Sequence, residues 1–228
     1  MAATDFSVNP AQDEGAGMTA VRHQKSLVER LRNKGIENEA VLQAMLETPR
    51  HRFVSDAVAR HAYRDDALPI GYNQTISQPY VVAFMTQTLL EPEPPRDVLE
   101  IGTGSGYQSA ILAKLVRRVY SIERIPQLHR QSTQRLRELG IHNVSTRLGD
   151  GGQGWPECAP YEAIMLTAAT PCLPEALLDQ LAEGGRLLLP EGSPYETQTL
   201  ARYVRTSKGI TREKLLDVMF VPLVSQTG

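Results

Sequence analysis

The sequence has 228 residues and a formal net charge of −2 at pH 7, and 41% of its residues are hydrophobic. This length fits one large domain or a domain with a small appendage, and the composition is that of an ordinary globular protein. The near-neutral charge argues against broad electrostatic binding to nucleic acid or an anionic membrane, and no apolar run is long enough for a membrane span. The two cysteines, Cys158 and Cys172, lack the spacing of metal ligands. We therefore expect no metal site and a reducing, cytoplasmic location.

The N-terminal part of the chain predicts a leader followed by a helical subdomain. Residues 1–16 mix small, polar and acidic side chains without periodicity and without a secretory signal, so we expect a disordered leader. Residues 18–58 carry apolar side chains at helical spacing. Pro79 fits the first turn of a further helix, which extends to the breaker EPEPP at residues 91–95. This breaker separates a subdomain of residues 17–95 from the rest of the chain.

Strands alternate with helices in residues 96–228. We expect strands at 97–101, 119–122, 144–148, 163–166 and 186–189, and helices at 107–115, 127–139 and 175–181, the last one ended by Gly184-Gly185. This alternation predicts an α/β fold with a mostly parallel, doubly wound sheet and helices on both faces. Two β-like segments, residues 199–204 and 215–221, should pair antiparallel at an edge of the sheet.

A glycine-rich turn follows the first of these strands, and it reads EIGTGSGY over residues 100–107. Glycine permits the tight turns and close ligand approach that nucleotide binding requires. A dinucleotide fingerprint would need glycine in place of Tyr107, and the lysine of a Walker loop is missing. The acid-led form resembles the S-adenosylmethionine (SAM) loop of Rossmann-like methyltransferases. The expected cofactor-binding residues in this loop are Glu100, Gly102, Thr103, Gly104, Ser105 and Gly106.

Two further acidic residues lie at the ends of the next two strands. Glu123 can accept hydrogen bonds from both hydroxyls of a ribose, and the alternative is a solvent-facing side chain paired with Arg124. Asp150 can accept from an adenine amino group while Gly151 lets the ring lie close, and the alternative is an Asx-type turn. Because ligands of open α/β sheets bind outside the carboxyl ends of the strands, these acids and the glycine loop form one predicted site.

An uncharged polar run, NQTISQ at residues 73–78, directly precedes the helix that begins at Pro79. Its serine, Ser77, has two interpretations. Serine is a favoured helix cap, and a hydroxyl at a helix start can instead face a ligand. The residues of the run leave both possibilities open.

Residues 18–223 resemble the protein-L-isoaspartate O-methyltransferases. The resemblance rests on ETPRHRFV (47–54), LPIGYNQTISQPYVVA (68–83), VLEIGTGSGYQSAILA (98–113), VYSIER (119–124), GDG (149–151), YEAIMLTAA (161–169), LAEGGRLLLP (181–190) and FVPL (220–223). TISQP is the most discriminating stretch, because methyltransferases in general lack it. The resemblance implies a Rossmann-like methyltransferase fold, a monomer, and SAM-dependent methylation of L-isoaspartyl residues in damaged proteins and peptides.

The resemblance also implies roles for individual residues. Ser77 would be the active-site hydroxyl, and Ile76 and Ser77 would border the cofactor. The substrate cleft would be bordered by Thr167, Ala168 and Ala169. The chemistry is consistent with these roles, because a carboxylate acceptor with a pKa of about 4 is ionised at neutral pH and needs no general base. Neutral donors such as Thr75 and Ser77 would then orient it in line with the methyl group.

Three positions depart from the family pattern. Asn73 stands where glycine is usual and would narrow the cleft or alter loop mobility. Glu162 replaces an aspartate and would disturb any hydrogen bond made there, and Glu191 would change only the rim. Two alternatives stay open: a methyltransferase for another small-molecule or protein carboxylate, and a SAM-binding protein that has lost turnover.

Overall fold

The computed structural model describes residues 13–193 and 196–223. The N-terminal part contains four helices within these ranges: α1 (Asp13–Asn33), α2 (Glu39–Glu47), α3 (Asp56–Ala59) and α4 (Pro79–Leu90). The predicted leader covers residues 1–16, of which residues 1–12 lie outside the described residues. Residues 13–16 already belong to α1, so for them the prediction of disorder is wrong.

A β-hairpin that the sequence analysis did not predict joins this helical part to the polar run. Its strands are β1 (Leu68–Gly71) and β2 (Gln74–Ile76), which pair antiparallel. The two loop residues, Tyr72 and Asn73, both have left-handed backbones, with φ of 55° and 56°. Two consecutive left-handed residues form the tight turn whose twist suits a hairpin, and asparagine is among the non-glycine residues that enter this region most readily.

The remaining strands form one seven-stranded sheet in the order β5-β4-β3-β6-β7-β8-β9. The strands are β3 (Asp97–Ile101), β4 (Arg118–Glu123), β5 (Val144–Leu148), β6 (Tyr161–Leu166), β7 (Leu181–Glu191), β8 (Gln198–Thr206) and β9 (Gly209–Val218). The first five strands in this order are parallel, and β8 and β9 add an antiparallel hairpin at one edge. The chain winds outward from β3 through β4 to β5 and then returns to β6 beside β3. The strand order therefore reverses between β3 and β6, and ligands of open sheets bind at such a point.

The helices of this half are α5 (Tyr107–Leu112), α6 (Pro126–Glu138) and the short α7 (Glu175–Asp179). The prediction that Gly184-Gly185 ends a helix is wrong, because α7 ends at Asp179 and both glycines lie within β7. The pairing of β7 with β6 shifts register there. A Cβ on Gly185 would lie 2.8 Å from the carbonyl oxygen of Ala182, so the shift leaves no room for a side chain at this position.

The N-terminal helices and the sheet share a hydrophobic core. Leu31 of α1 and Val41 of α2 belong to the same buried cluster as Tyr107 and Ile111 of α5. Arg50 is fully buried in this region, and its guanidinium lies 5.0 Å from the centroid of the Tyr107 ring. None of the described helices has the length and apolar character needed to cross a membrane.

The hairpin turn yields a stability prediction at Asn73. Asn73→Ala should lower the free energy of unfolding by about 1 kcal/mol, because a left-handed backbone is unfavourable for residues with a Cβ and no local polar group. Asn73→Gly should preserve or increase stability, because glycine adopts this conformation without a steric penalty. Urea unfolding followed by circular dichroism measures both changes. Equal stability of the two variants would contradict the turn assignment.

Candidate active site

A cavity opens at the carboxyl ends of β3, β4 and β6, where the strand order reverses. We call it the switch-point cavity, and its volume, including its mouth, is about 760 Å³, within the range of small-molecule sites. Most of the predicted site residues line it: Thr75, Ile76, Ser77, Gly102, Thr103, Gly104, Ser105, Glu123, Gly151, Thr167 and Ala168. Four predicted site residues do not line it: Glu100, Gly106, Asp150 and Ala169.

The loop after β3 approaches Thr167 too closely for a side chain at Gly102. A Cβ on Gly102 would lie 2.4 Å from Thr167 Oγ1, and the φ of Gly102 is +98°. The Thr167 hydroxyl donates to the carbonyl oxygen of Gly102 at 2.7 Å. Thr167 follows β6, so this contact fixes the glycine loop against the end of the neighbouring strand.

Glu123 is buried at the end of β4, with 5% of its surface exposed. Its Oε2 accepts from the N–H of Gly104 at 2.7 Å, and its Oε1 accepts from the N–H of Ile125 at 2.8 Å. The structure therefore contradicts the alternative in which Glu123 faces the solvent and pairs with Arg124. Each carboxylate oxygen retains a further lone pair, so Glu123 can hold the loop and still accept two ligand hydroxyls.

Asp150 and Gly151 have different positions relative to the cavity. Asp150 Oδ1 accepts from the N–H of Gly152 at 2.9 Å and caps the 3₁₀ turn Gly151–Gln153, which is the Asx-type alternative. Its contact with an adenine amino group stays a prediction. Gly151 does line the cavity, and a Cβ there would lie 2.2 Å from Cγ2 of Ile101. This position therefore excludes any side chain.

Glu100 lies beneath the glycine loop. Its side chain is fully buried, and its Oε2 accepts from the hydroxyls of Ser109 and Ser121. The Ser121 hydroxyl lies 2.6 Å from that of Thr103, within the loop. Glu100 does not line the cavity, and its carboxyl contacts these hydroxyls instead. Its contact with the cofactor stays a prediction. The Glu100 side chain anchors the loop from below.

The environment of Glu100 favours its protonated form. Burial raises the pKa of this carboxyl to about 7, against the opposing effect of the two serine hydroxyls. The nearby charge of Glu123 raises this pKa further. Among the described residues, Glu100 Oε1 has no hydrogen-bond partner, which suits a neutral acid better than a carboxylate.

A second cavity, which we call the outer cleft, adjoins the first and has a volume of about 1100 Å³. Four residues line both cavities: Thr75, Ser77, Thr167 and Val221. None of the four carries a charge. A group that extends from the outer cleft into the switch-point cavity therefore passes the hydroxyls of Thr75, Ser77 and Thr167.

The structure separates Ser77 from the capping of α4. The N-cap of α4 is Gln78, which makes no side-chain capping bond. The N–H of Tyr80 instead donates to Oδ1 of Asp65 at 2.8 Å, and a carboxylate suits the positive end of a helix. Within the described part of the chain, no side-chain hydrogen bond involves the Ser77 hydroxyl, so it is available to a ligand.

Sequence reasoning missed the wall formed by residues 219–223. Val221 and Leu223 line the switch-point cavity, and the backbone of Ala169 holds this segment in place. The N–H of Ala169 donates to the Val221 carbonyl at 2.8 Å, and the N–H of Leu223 donates to the Ala169 carbonyl at 2.7 Å. Ala169 thus positions the wall without lining either cavity. The stretch FVPL was visible in the sequence, but its apolar side chains carry no chemical indication of a site.

The three departures from the family pattern lie away from both cavities. Asn73 belongs to the hairpin turn and lines neither cavity, so the expectation that it narrows the cleft is wrong. Glu162 accepts a hydrogen bond from the N–H of Arg96, so its longer side chain still makes a bond. Glu191 accepts from Arg212 at 2.9 and 2.7 Å, which links β7 to β9.

Glu100→Gln should make stability less dependent on pH. A folded-state pKa raised to about 7 means that the wild type loses stability as pH rises from about 4.5 through 7. The neutral amide of the variant does not titrate. Between pH 5 and pH 8, the free energy of unfolding should therefore fall by up to ~3 kcal/mol more in the wild type than in the variant. Urea unfolding across this range measures the effect. Glu183→Gln, at an exposed site, is the control, and parallel pH curves for wild type and Glu100→Gln would contradict the assignment.

Comparison with known proteins agrees with this geometry. A family model described as protein-L-isoaspartate(D-aspartate) O-methyltransferase (PCMT) matches residues 22–228. The protein-L-isoaspartate O-methyltransferases of Pseudomonas fluorescens and Pseudomonas paraeruginosa are 51% and 52% identical over 208 residues. These matches cover 91% of this chain and 98% of each relative.

Solved structures give the same result. A protein-L-isoaspartate O-methyltransferase structure matches with a TM-score of 0.80 at 27% identity, covering 87% of this chain and 65% of that one. A beta-aspartate methyltransferase (PCMT) of Plasmodium falciparum, in complex with S-adenosyl-L-homocysteine, matches with a TM-score of 0.78 at 29% identity. That match covers 89% of this chain and 99% of the other. The predicted Rossmann-like methyltransferase fold is confirmed, and the chain belongs to the protein-L-isoaspartate(D-aspartate) O-methyltransferase family.

Proposed function

We propose that this protein transfers the methyl group of SAM to the free carboxylate of L-isoaspartyl residues in damaged proteins and peptides. The resulting ester would collapse to a succinimide and so begin repair. The observation that carries the proposal is the junction of the two cavities, where Thr75, Ser77 and Thr167 supply hydroxyls and no charge. The switch-point cavity would hold SAM, and the outer cleft would hold the substrate polypeptide.

The residues of the switch-point cavity fit SAM. Gly102 and Gly151 line this cavity with backbone alone, because Thr167 and Ile101 leave no room for a side chain there. Glu123 presents a carboxylate with acceptor capacity for ribose hydroxyls. The remaining cofactor contacts would come from Ile76, Ser77, Thr103, Gly104 and Ser105, which line the same cavity. Bound SAM supplies an electrophilic methyl group on a positively charged sulfur, and its product is S-adenosyl-L-homocysteine.

The protein's own part in this reaction is positioning. The acceptor carboxylate is already ionised at neutral pH, so no side chain needs to remove a proton. The Ser77 and Thr75 hydroxyls would donate to this carboxylate and hold one oxygen in line with the methyl carbon, about 3–3.5 Å away. Neutral donors orient a carboxylate without forming an ion pair that would weaken its nucleophilicity. Residues 219–223, which hydrogen-bond to the backbone of Ala169, would shield one side of the junction from water.

We further propose that the protein acts as a cytoplasmic monomer and needs neither nucleic acid nor a membrane. The formal net charge of −2 argues against broad electrostatic binding to nucleic acid or an anionic membrane. Methyl transfer to another small-molecule or protein carboxylate is the competing activity. The two activities can be distinguished by experiment, because only the proposed one requires the isoaspartyl linkage in the acceptor.

Labelled SAM and two peptides that differ only in L-isoaspartate or L-aspartate test the activity. We expect base-labile label on the isoaspartyl peptide alone, because a methyl ester hydrolyses readily in base. Label on both peptides would favour a general carboxyl methyltransferase. Label on neither, with SAM still bound in calorimetry, would mean a protein that has lost turnover.

Two substitutions should separate positioning from cofactor binding. Ser77→Ala should lower kcat by roughly 10- to 100-fold and change the Kd for SAM much less, because the lost hydroxyl orients the acceptor whereas SAM keeps its other contacts. Glu123→Gln should raise the Kd for SAM by about 10- to 100-fold, because it weakens charge-assisted hydrogen bonds. Ser207→Ala, at an exposed site, is the control. Full activity of Ser77→Ala, or an unchanged Kd for Glu123→Gln, would remove that residue from its role.

A further inference from the structure

A positively charged groove lies beside the outer cleft, on the surface of the helical part of the chain. We call it the basic groove, and it is lined by His23, Ser26, Arg30, Arg60, Tyr63, Arg64 and Asp65. Asp65 also lines the outer cleft. The two surfaces are therefore contiguous, and a polypeptide that enters the outer cleft can continue into the basic groove.

The arginines of this groove form no ion pairs among the described residues. The ion pairs found in residues 13–193 and 196–223 include none with Arg30, Arg60 or Arg64. Arg30 is held instead by neutral groups, the Ser26 hydroxyl at 2.8 Å and the Tyr63 carbonyl at 2.6 Å. Its guanidinium therefore keeps a full charge in a fixed place.

Arg60 and Arg64 are exposed and lie close enough to influence a neighbouring imidazole. Arg60 Nε donates to Nε2 of His61 at 3.0 Å. Burial lowers the pKa of His61, and the charges of Arg64 and Arg60 lower it further. Two guanidinium groups thus act on the same small region of the surface.

Asp65 is the one acidic residue among those that line the groove, and it already has partners. Asp65 accepts from the N–H of Tyr80 and forms an ion pair with Lys34 at 2.6 Å. Its charge is balanced by Lys34, so it does not cancel the arginines. The groove therefore carries excess positive charge although the chain as a whole has a net charge of −2.

We propose that the basic groove binds a carboxylate-rich segment of the substrate polypeptide and so favours isoaspartyl sites near acidic stretches. This rests on the proposed function, because the groove serves as an extension of the substrate's cleft. Guanidinium groups match carboxylates in geometry and can bind them with two parallel hydrogen bonds. We assign a polypeptide to the groove because the groove shares Asp65 with the outer cleft, which would hold the substrate polypeptide.

The kinetic test uses a plain isoaspartyl peptide and versions with three glutamates placed at increasing distances on either side of the isoaspartate. At low salt, we expect one placement to raise kcat/KM by roughly two- to tenfold through a lower KM, as suits a few partly screened ion pairs. The gain should disappear near 0.5 M salt, where charges are screened over a few ångströms. Equal kcat/KM for all peptides would overturn the proposal.

Two matched double variants localise the effect. Arg60→Gln/Arg64→Gln should abolish the preference for glutamate and leave kcat/KM for the plain peptide unchanged. Arg130→Gln/Arg137→Gln removes the same charge from exposed positions of α6 and should keep the preference. A preference that survives the first double variant, or that is lost in the second, would overturn the assignment to the groove.

A binding measurement keeps this inference separate from the methyl transfer itself. A fluorescent glutamate-rich peptide carrying ordinary aspartate needs no turnover, and its anisotropy should report binding to the wild type and several-fold weaker binding to Arg60→Gln/Arg64→Gln. If the double variant binds this peptide more weakly but the wild type does not methylate the plain isoaspartyl peptide, the groove is supported and the proposed function is contradicted. Equal binding to both proteins would overturn the groove. Displacement of the peptide by a single-stranded oligonucleotide at lower concentration than by unlabelled peptide would overturn its assignment to acidic polypeptide.

Discussion

The contact between the Thr167 hydroxyl and the backbone of Gly102 fixes the relation between the two cavities. It joins the loop after β3 to the end of β6, across the point where the strand order reverses. Thr167 lines both cavities, so the same side chain sets the glycine loop and borders the junction. A residue with a Cβ at position 102 would push these strands' ends apart. Transfer between two sites tolerates little displacement, because a misplacement of about 1 Å can cost 10²-fold in rate.

The helical part of the chain contributes to this geometry through Asp65. Its carboxylate accepts from the N–H of Tyr80 at the start of α4 and pairs with Lys34, which directly follows α1. Because a distant residue supplies this cap, the Ser77 hydroxyl at the cavity junction makes no side-chain hydrogen bond within the described part of the chain. A serine that capped its own helix would have to break that bond to serve a substrate. Because Asp65 stabilises the start of α4, the Ser77 hydroxyl is not needed for this cap and can donate to a substrate.

The sequence predicted β3, β5 and α4 with the bounds that the structure has, because each of these elements ends at a clear glycine or proline signal. It missed the hairpin whose second strand lies in the polar run, because Tyr72 gives no turn signal and adopts its left-handed backbone only within the paired strands. It also misread Gly184-Gly185, since glycines at a register shift look like a helix stop. Most cavity-lining positions were predictable from motifs. The direction of the Glu100 side chain could not be predicted. A strand buried on both faces lacks the alternation of apolar and polar residues that shows which side faces the solvent.

The two glutamates at the ends of β3 and β4 differ in what surrounds them, and the difference explains why the site can hold both. Glu123 accepts from two backbone N–H groups. Glu100 is enclosed with only hydroxyl donors, and burial favours its neutral form. Two carboxylates beneath one loop would repel each other if both were ionised. With the inner one protonated, the loop is anchored by hydrogen bonds alone, and the charge that remains is the one that faces the cavity.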